Sequence, residues 1–412
     1  MADQNKAETT NAGCLKGIRV IDMTSVMMGP VASQTLGDMG ADVIKVESPL
    51  GDTTRLVGKG KSPGMGPGFI QLNRNKRSVC LNLKSEEGMS ALLTLLETAD
   101  VLVYNVRPQS MKKLGLDWDN LKDRFPRLIH AGAFGFGQDG PYAARPAYDD
   151  LIQAACGLPM LLQDSGAKSP MYAPVLIADR TTGIVTVNAI LGALFHRERN
   201  GEGQAIEIPM FETMVPFVMG DHVGGRTYDP PDGPMRYARL VSESRRPFPT
   251  ADGYISAVIY TDAHWKAFCR VIGKPEMFET DPRMKNLLTR TQNIDDLYAM
   301  AGEYFAERST DEWMDLLETA DIPSMRVHSM ESIFDDPHLV ATDYFERHEH
   351  PTEGRIVQLP CAGKWTGSPP SIRRLAPRLG EHTVEVLSEA GIGEAEIQAL
   401  LDSGHGKQTE SS

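Results

Sequence analysis

The alternation of apolar stretches and helical segments near the amino terminus restricts the fold of this chain more than any other feature. Residues 17–22 have the composition of a buried strand, Pro30 stands early in a helix that Gly40 ends, and residues 41–47 form the next strand. A strand, a helix and a strand within about 30 residues predict a βαβ unit with parallel strands. The alternation continues to residue 208, which predicts an α/β fold with a doubly wound, Rossmann-like domain.

This alternation stops at residues 222–249, which are rich in Gly, Pro, Arg and Asp and weakly periodic. A stretch of this length without regular structure predicts a linker or a functional loop. The remaining divisions predicted from the pattern are a frayed tail at 1–14, a small α+β domain at 250–328, a return linker and a last helical piece at 329–404, and a second tail at 405–412.

Charge and cysteine content exclude several classes of protein. The formal net charge of −13 argues against non-specific binding to nucleic acid and against docking on an anionic membrane. No stretch approaches the ~20 continuous apolar residues of a membrane span. The five cysteines are odd in number, far apart and without metal-ligand spacing, so we expect a cytoplasmic protein with neither disulfide bonds nor a metal site.

Asp179 is the candidate catalytic residue. It follows the apolar run at 175–178 and precedes a long helical stretch, 180–197. The partial positive charge of a helix amino terminus favours an ionised carboxylate, and an ionised aspartate can act as a nucleophile. The simpler alternative is that Asp179 only caps the helix, because aspartate is among the preferred cap residues.

Four further segments are candidates for ligand binding because they precede or follow predicted strands. The turn at 28–30 leads into a helix, whose amino terminus can receive a phosphate, and residues 72–78 carry three cations and two amides, which suit phosphate recognition. Asn105 and Arg107 stand at the carboxyl end of a predicted parallel strand, where open α/β sheets bind ligands. Residues 135–141 contain three glycines whose N–H groups can face a substrate oxygen. Each segment taken alone is also explained by an ordinary turn or a solvated loop.

Together, these segments resemble the class III coenzyme A transferases, which include formyl-CoA:oxalate and carnitine CoA-transferases. The resemblance extends from about Leu15 to Gly404. Its main carriers are Gly29-Pro30, the stretch 40–47, Gly51-Asp52, Asn75-Lys76-Arg77, Ala99-Asp100-Val101, Gly135-Phe136-Gly137-Gln138, Asp179, the stretch 201–204 and the stretch 376–383.

The resemblance implies a large nucleotide-fold domain built from residues 15–221 and 329–404, a smaller central domain and an intertwined homodimer. It implies that CoA is a substrate and that no cofactor is tightly bound. The family's nucleophile is an aspartate that matches Asp179. The expected reaction moves CoA from an acyl-CoA to a carboxylic acid through an aspartyl anhydride and an aspartyl-CoA thioester.

The resemblance also implies the residues that contact CoA. Val26, Met27 and Met28 match one contact stretch, Leu72, Asn73, Arg74, Asn75 and Lys76 match a second, and Asn105, Val106 and Arg107 match a third. Lys113 matches a basic position near the phosphates. Phe134, Gly135, Phe136, Gly137 and Gln138 match the loop beside the thioester, where N–H groups are expected to stabilise an oxyanion.

Two departures bear on the substrate. Ser48 stands where the oxalate branch has an arginine, and residues 222–249 lack that branch's run of adjacent glycines, so oxalate is not the expected acid. Four cations in this loop indicate a dicarboxylate or, more simply, a solvated surface: Arg236, Arg239, Arg245 and Arg246.

Two alternative functions stay open. Acyl-CoA racemases share this fold and have a His–Asp pair ~30 residues before a second aspartate, where they work as an acid/base pair. Tyr148 stands at the histidine position here, and an ordinary tyrosine titrates too high for that role. The other alternative is a CoA-binding protein without catalytic activity.

Overall fold

The computed structural model describes residues 13–361 and 363–409. Most of the predicted tail at 1–14 therefore lies outside the described residues. The chain forms two compact units. The first comprises the described residues up to Ala155, Pro174–Pro216 and the described residues from Ala341, whereas the second comprises Cys156–Ala173 and Phe217–Val340.

The described strands, in chain order, are β1 Arg19–Met23, β2 Asp42–Glu47, β3 Lys76–Leu81, β4 Val101–Tyr104, β5 Ile129–Phe134, β6 Gln204–Pro209, β7 Phe248–Pro249, β8 Tyr254–Ala257, β9 Ser324–Arg326, β10 Glu346–His350, β11 Gly354–Gln358 and β12 Gly406–Lys407.

The described α-helices are α1 Met28–Asp38, α2 Pro67–Leu72, α3 Glu86–Leu96, α4 Pro108–Lys113, α5 Trp118–Leu121, α6 Asp149–Ala155, α7 Leu158–Asp164, α8 Ile177–Asn200, α9 Met210–Met219, α10 Asp262–Val271, α11 Met277–Thr280, α12 Leu287–Gln292, α13 Ile294–Phe305, α14 Thr310–Thr319, α15 Pro337–Ala341, α16 Thr383–Glu389 and α17 Glu394–Asp402. Short 3₁₀ helices lie at Thr53–Leu56, Gly224–Thr227, Pro282–Met284 and Ser332–Asp335.

The first unit is organised around a seven-stranded sheet with the order β12-β3-β2-β1-β4-β5-β6. Strands β1 to β6 are parallel to their neighbours, and β12 is antiparallel to β3. The order 3-2-1-4-5-6 is that of the doubly wound Rossmann fold, and it reverses between β1 and β4. The predicted α/β fold with a large parallel sheet is confirmed, and the reversal point is where such folds bind their ligands.

Side chains of the central strands are buried on both faces of this sheet. Val20 of β1 packs with Leu36 of α1 and Ile190 of α8, whereas the next residue, Ile21, packs on the opposite face with Leu95 of α3. Strands covered on both faces consist of nearly continuous apolar residues, which is why this part of the fold is recognisable in the sequence.

The carboxyl-terminal segment differs from the predicted tail at 405–412. Lys407 and Gly406 pair with Cys80 and Leu81 of β3, and the Asn82 N–H donates to the His405 carbonyl oxygen at 2.7 Å. The strand β12 has two residues, too few for an apolar pattern to reveal it. Residues 410–412 lie outside the described residues.

The second unit contains the antiparallel sheet β7-β8-β9 and an aromatic core. Phe305 stacks on Phe248 with 4.6 Å between ring centroids and also contacts Trp313. Residues 222–249, predicted as a linker or lid, belong to this unit. One reason is a hydrogen bond from Ser242 to Asp295. Movement of this segment as a lid stays a prediction.

None of the helices in the described ranges is both long enough and apolar enough to cross a membrane.

Candidate active site

The turn after β1 and the turn after β4 meet where the strand order of the sheet reverses. The Asn105 side-chain amide donates to the Ser25 carbonyl oxygen at 2.7 Å, and its Oδ1 accepts from the Ser25 N–H at 2.9 Å. The predicted contact stretches Val26–Met28 and Asn105–Arg107 therefore lie side by side. Val26 has a φ of +69°, which is rare for a β-branched residue, and 41% of its surface is exposed.

The loop after β5 joins this edge of the sheet. Phe134 is the buried last residue of β5, and the Gln109 amide from α4 donates to Gln138 Oε1 at 3.2 Å. Gly135 is required here, since a Cβ atom would lie 2.2 Å from the Cβ atom of Ala147. The loops after β4 and β5 are thus held together.

The expectation that the N–H groups of this loop are free is wrong for Gly137. Its N–H donates to Oε1 of Glu212, in the first turn of α9, at 2.9 Å. Glu212 is 75 residues away in sequence, so the loop motif gives no sign of this partner. The role of Gly135, Phe136, Gly137 and Gln138 in stabilising an oxyanion stays a prediction.

Asp179 lies in the first turn of α8 but does not cap it. The helix begins at Ile177, and its cap residue, Leu176, has no side-chain cap bond. The main-chain N–H of Asp179 instead donates to Asp149 Oδ1 at 2.9 Å. The simpler alternative of a capping aspartate is therefore wrong, because a second carboxylate satisfies the helix N–H group.

Helix α8 approaches the turn after β1 at the level of Gly183, one turn beyond Asp179. A Cβ atom on Gly183 would lie 2.7 Å from the Met28 carbonyl oxygen. This close approach brings the first turn of α8 to the start of α1. Asp179, Val26–Met28 and Asn105–Arg107 thus share one region of the first unit.

The environment of Asp179 raises its pKa to about 7. Burial is the main cause, the negative charge of Asp149 adds to it, and Arg180 opposes it. The expectation that the helix terminus keeps this carboxylate fully ionised is therefore wrong, because loss of hydration and a like charge outweigh the helix dipole. Among the described residues, the Asp179 carboxylate has no hydrogen-bond partner.

Asp149 is a functional candidate that the sequence prediction missed. Its side chain is buried in α6, and its Oδ2 accepts a hydrogen bond from Gln153 Nε2 at 2.6 Å. The available signal was the pair Tyr148-Asp149, which stands 30 residues before Asp179 at the position of the racemases' His–Asp pair.

The second predicted contact stretch, Leu72–Lys76, lies at the amino end of β3, opposite the edge that carries the other loops. Its cations are buried and paired: Arg74 forms two bonds with Asp38, at 2.7 and 3.0 Å, and Lys76 Nζ lies 3.1 Å from Asp22. Asn73 and Asn75 also bond internally. The positive charges of this stretch are evident from the sequence, but their partners Asp38 and Asp22 are not. Contact of this stretch with CoA stays a prediction.

An open groove of about 600 Å³ lies near the carboxyl end of β3. Its walls include Leu83, Met89 and Leu93, and two exposed cations, Lys84 and the predicted Lys113, line it. Lys84 was not predicted. Its position three residues beyond the end of the parallel strand β3 was the available signal.

The described part of the chain, 13–361 and 363–409, holds no group of three or more His, Cys, Asp or Glu side chains suited to a metal ion.

Comparison with known proteins decides the family. The sequence model of CoA-transferase family III matches residues 15–383. The chain belongs to CoA-transferase family III. This confirms the resemblance, and the protein is an enzyme of the class III CoA-transferases, which act on CoA thioesters.

Relatives of this transferase align over nearly their whole length. An acyl-CoA transferase of Fusarium pseudograminearum is 34% identical, with 97% of this chain and 90% of that protein covered. The (R)-2-hydroxy-4-methylpentanoate CoA-transferase of Clostridioides difficile is 32% identical, with 94% and 98% covered. The crystal structure of a CAIB/BAIF family protein from Brucella suis matches with a TM-score of 0.79 at 28% identity, covering 92% of this chain and 100% of that one.

Three of the four arginines that indicated a dicarboxylate have polar partners within the protein, and one of these partners is a carboxylate. Arg236 NH2 lies 2.7 Å from Asp164 Oδ2, Arg239 donates to the Tyr298 hydroxyl at 3.1 Å, and Arg246 donates to the Glu243 carbonyl oxygen. These partners all lie in the second unit. Neutral partners leave the charges of Arg239 and Arg246 in place, so a dicarboxylate substrate stays a prediction.

Proposed function

We propose that this transferase exchanges CoA between an acyl-CoA and a carboxylic acid, with Asp179 as the nucleophile. The observation that supports it is a half-buried carboxylate, without a hydrogen-bond partner among the described residues, beside the turns at the ligand-binding edge of the sheet. The pKa of about 7 fits this role. A poorly hydrated carboxylate is more basic, hence more nucleophilic once ionised, and about half of it is ionised at neutral pH.

Four steps complete the exchange. An Asp179 carboxylate oxygen attacks the thioester carbon of the donor, the C–S bond breaks, and a mixed anhydride and CoA thiolate result. The thiolate attacks the aspartyl carbonyl and releases the donor acid, leaving an aspartyl-CoA thioester. An acceptor carboxylate then displaces CoA thiolate and re-forms an anhydride. The thiolate attacks the acceptor's acyl carbon, which yields the new acyl-CoA and regenerates Asp179.

Within this proposal CoA lies along the carboxyl edge of the sheet. Val26–Met28 and Asn105–Arg107 contact it at the reversal point, and the loop Phe134–Gln138 lies beside the thioester. The exposed Glu212 side chain turns away so that the Gly137 N–H can donate to the oxyanion. The stretch Leu72–Lys76 contributes from the opposite edge by holding Asp22 and Asp38.

The intertwined homodimer is part of the same proposal. Large apolar side chains on α6 and α8 are exposed in the single chain, with Leu151 at 50%, Ile184 at 58% and Phe195 at 63%. Exposed apolar side chains of this size are typical of interfaces. A monomeric mass in solution would contradict this part.

Lys84 and Lys113 are proposed to bind the phosphates of CoA in the groove that they line. Replacing either one with alanine should raise the KM for acyl-CoA about tenfold and change kcat little, because a charge-assisted contact to the nucleotide is present in both ground and transition states. Lys112→Ala is the matched control, since Lys112 is an exposed cation of α4 that does not line the groove. Equal effects of all three variants would contradict the assignment.

The decisive test of the proposed function is covalent trapping. Purified enzyme is mixed with acetyl-, succinyl- or formyl-CoA in the absence of an acceptor acid and quenched with hydroxylamine. We expect the peptide that contains Asp179 to carry an aspartyl hydroxamate. A hydroxamate at another residue would refute the nucleophile. Incorporation of deuterium at Cα of a 2-methylacyl-CoA in heavy water, without trapping, would favour the racemase alternative, because a carboxylate with a pKa near 7 also suits a general base.

A further inference from the structure

The turn Thr24–Val26 is held in an unfavourable conformation by buried side chains. Val26, with its left-handed φ of +69°, has a β-branched side chain that disfavours this region. Such a residue keeps its conformation only where the surroundings fix it. Contacts from outside the turn must therefore hold Val26 in place.

Asp52 fixes the main chain of Val26. The Val26 N–H donates to both carboxylate oxygens of Asp52, at 3.2 and 3.3 Å. Asp52 is itself buried and accepts from the N–H and hydroxyl groups of Thr54, at 2.9 and 2.8 Å. A buried carboxylate of this kind needs a positive charge to stay ionised.

Lys45 supplies that charge and links it to the other end of the turn. Its side chain is completely buried in β2. Its Nζ donates to Asp52 Oδ2 at 3.1 Å and to the Thr24 carbonyl oxygen at 2.8 Å. One ammonium group thus fixes the first residue of the turn directly and the last residue through Asp52.

We propose that Lys45 is a positioning residue for coenzyme A: through Asp52 and the Thr24 carbonyl, it keeps Val26 in the left-handed conformation that presents this turn to the coenzyme. The inference rests on the proposed placement of CoA at Val26–Met28. Lys45 does not touch the coenzyme. Lys45 instead raises the fraction of molecules in which the turn has the binding conformation. The apparent affinity for coenzyme A is proportional to that fraction.

Lys45→Met retains much of the buried volume and removes the charge. We expect the fraction of molecules whose turn Thr24–Val26 has the binding conformation to fall about tenfold. The affinity for free CoA, measured by calorimetry, should then fall by the same factor. In turnover with acetyl-CoA, KM should rise and kcat should change little. Arg197→Met is the matched control, because it removes a buried cation paired with Asp100 at 2.8 Å, far from the turn.

A double-variant cycle separates positioning from general destabilisation. Glycine adopts a left-handed φ without strain, so in a Val26→Gly background the loss of Lys45 should weaken CoA binding by less than about threefold. Equal effects of Lys45→Met in both backgrounds, or CoA affinity within about twofold of the parent for a folded Lys45→Met protein, would overturn the inference.

Asp52→Leu serves if Lys45→Met does not fold, because it keeps the approximate size of the side chain while removing both the acceptor of the Val26 N–H and the charge pair with Lys45. It should weaken CoA binding in the same way, and unchanged binding would overturn the inference. The trapping experiment is independent of this result. Failure to trap Asp179 together with the expected coupling would refute the nucleophile and leave the positioning role intact.

Discussion

Asp179→Ala is expected to lower the rate of CoA transfer by at least about 10³-fold, because no other group can carry the covalent intermediate. Binding of free CoA should stay within about threefold, since the carboxylate contacts the reacting carbon and not the nucleotide. The measurement is kcat for transfer between acetyl-CoA and a panel of acids, paired with calorimetry of CoA binding.

Asp179→Asn distinguishes loss of charge from loss of the side chain. It should be as inactive as Asp179→Ala, because an amide does not form the anhydride. It should also be more stable than the parent at about pH 8. The folded pKa of Asp179 lies above its ordinary value of 3.8, so the folded state binds more protons than the unfolded state, and stability falls as pH rises toward and through the folded pKa of about 7.

Asp150→Ala is the control for this prediction. Asp150 is an exposed aspartate of α6 next to Asp149, and its removal should leave transfer unchanged. Retention of more than about a tenth of the parental rate by folded Asp179→Ala would refute the covalent mechanism.

Sequence patterns were sufficient for the sheet because its determinants are local. Apolar runs such as residues 101–103 and the stop at Gly40 fix strands and helices through neighbouring residues. The carboxyl ends of parallel strands share one edge, which explains why Asn105 and the turn at Ser25 meet there.

The charge state of the site was not accessible in the same way. The cations of Arg74 and Lys76 look free in the sequence, yet Asp38 and Asp22 pair with them from other elements. The helix position of Asp179 predicted an ionised group, but burial and a carboxylate from α6 reverse that effect. Both errors arise because hydration and partners depend on contacts between distant segments.

The pH dependence of transfer follows from the same pair of carboxylates. If Asp179 must be ionised to attack, kcat/KM should rise with pH and level off above its pKa of about 7. At about pH 5, well below that pKa, only ~1% of the carboxylate is ionised, so kcat/KM should be ~100-fold below the plateau. The measurement is kcat/KM for acetyl-CoA at a saturating acceptor acid across this range.

Asp149→Asn tests the cause of the raised pKa. This substitution keeps an oxygen that can accept from the Asp179 N–H while it removes the like charge. The pKa of Asp179 should fall, and the rising limb of the profile should move to lower pH. Burial, the larger cause, remains, so the limb should stay above the ordinary aspartate value. Two results would show that the ionisation of Asp179 does not control the reaction. One is a rising limb that moves to higher pH in Asp149→Asn, and the other is a parental kcat/KM that stays constant between about pH 5 and 8.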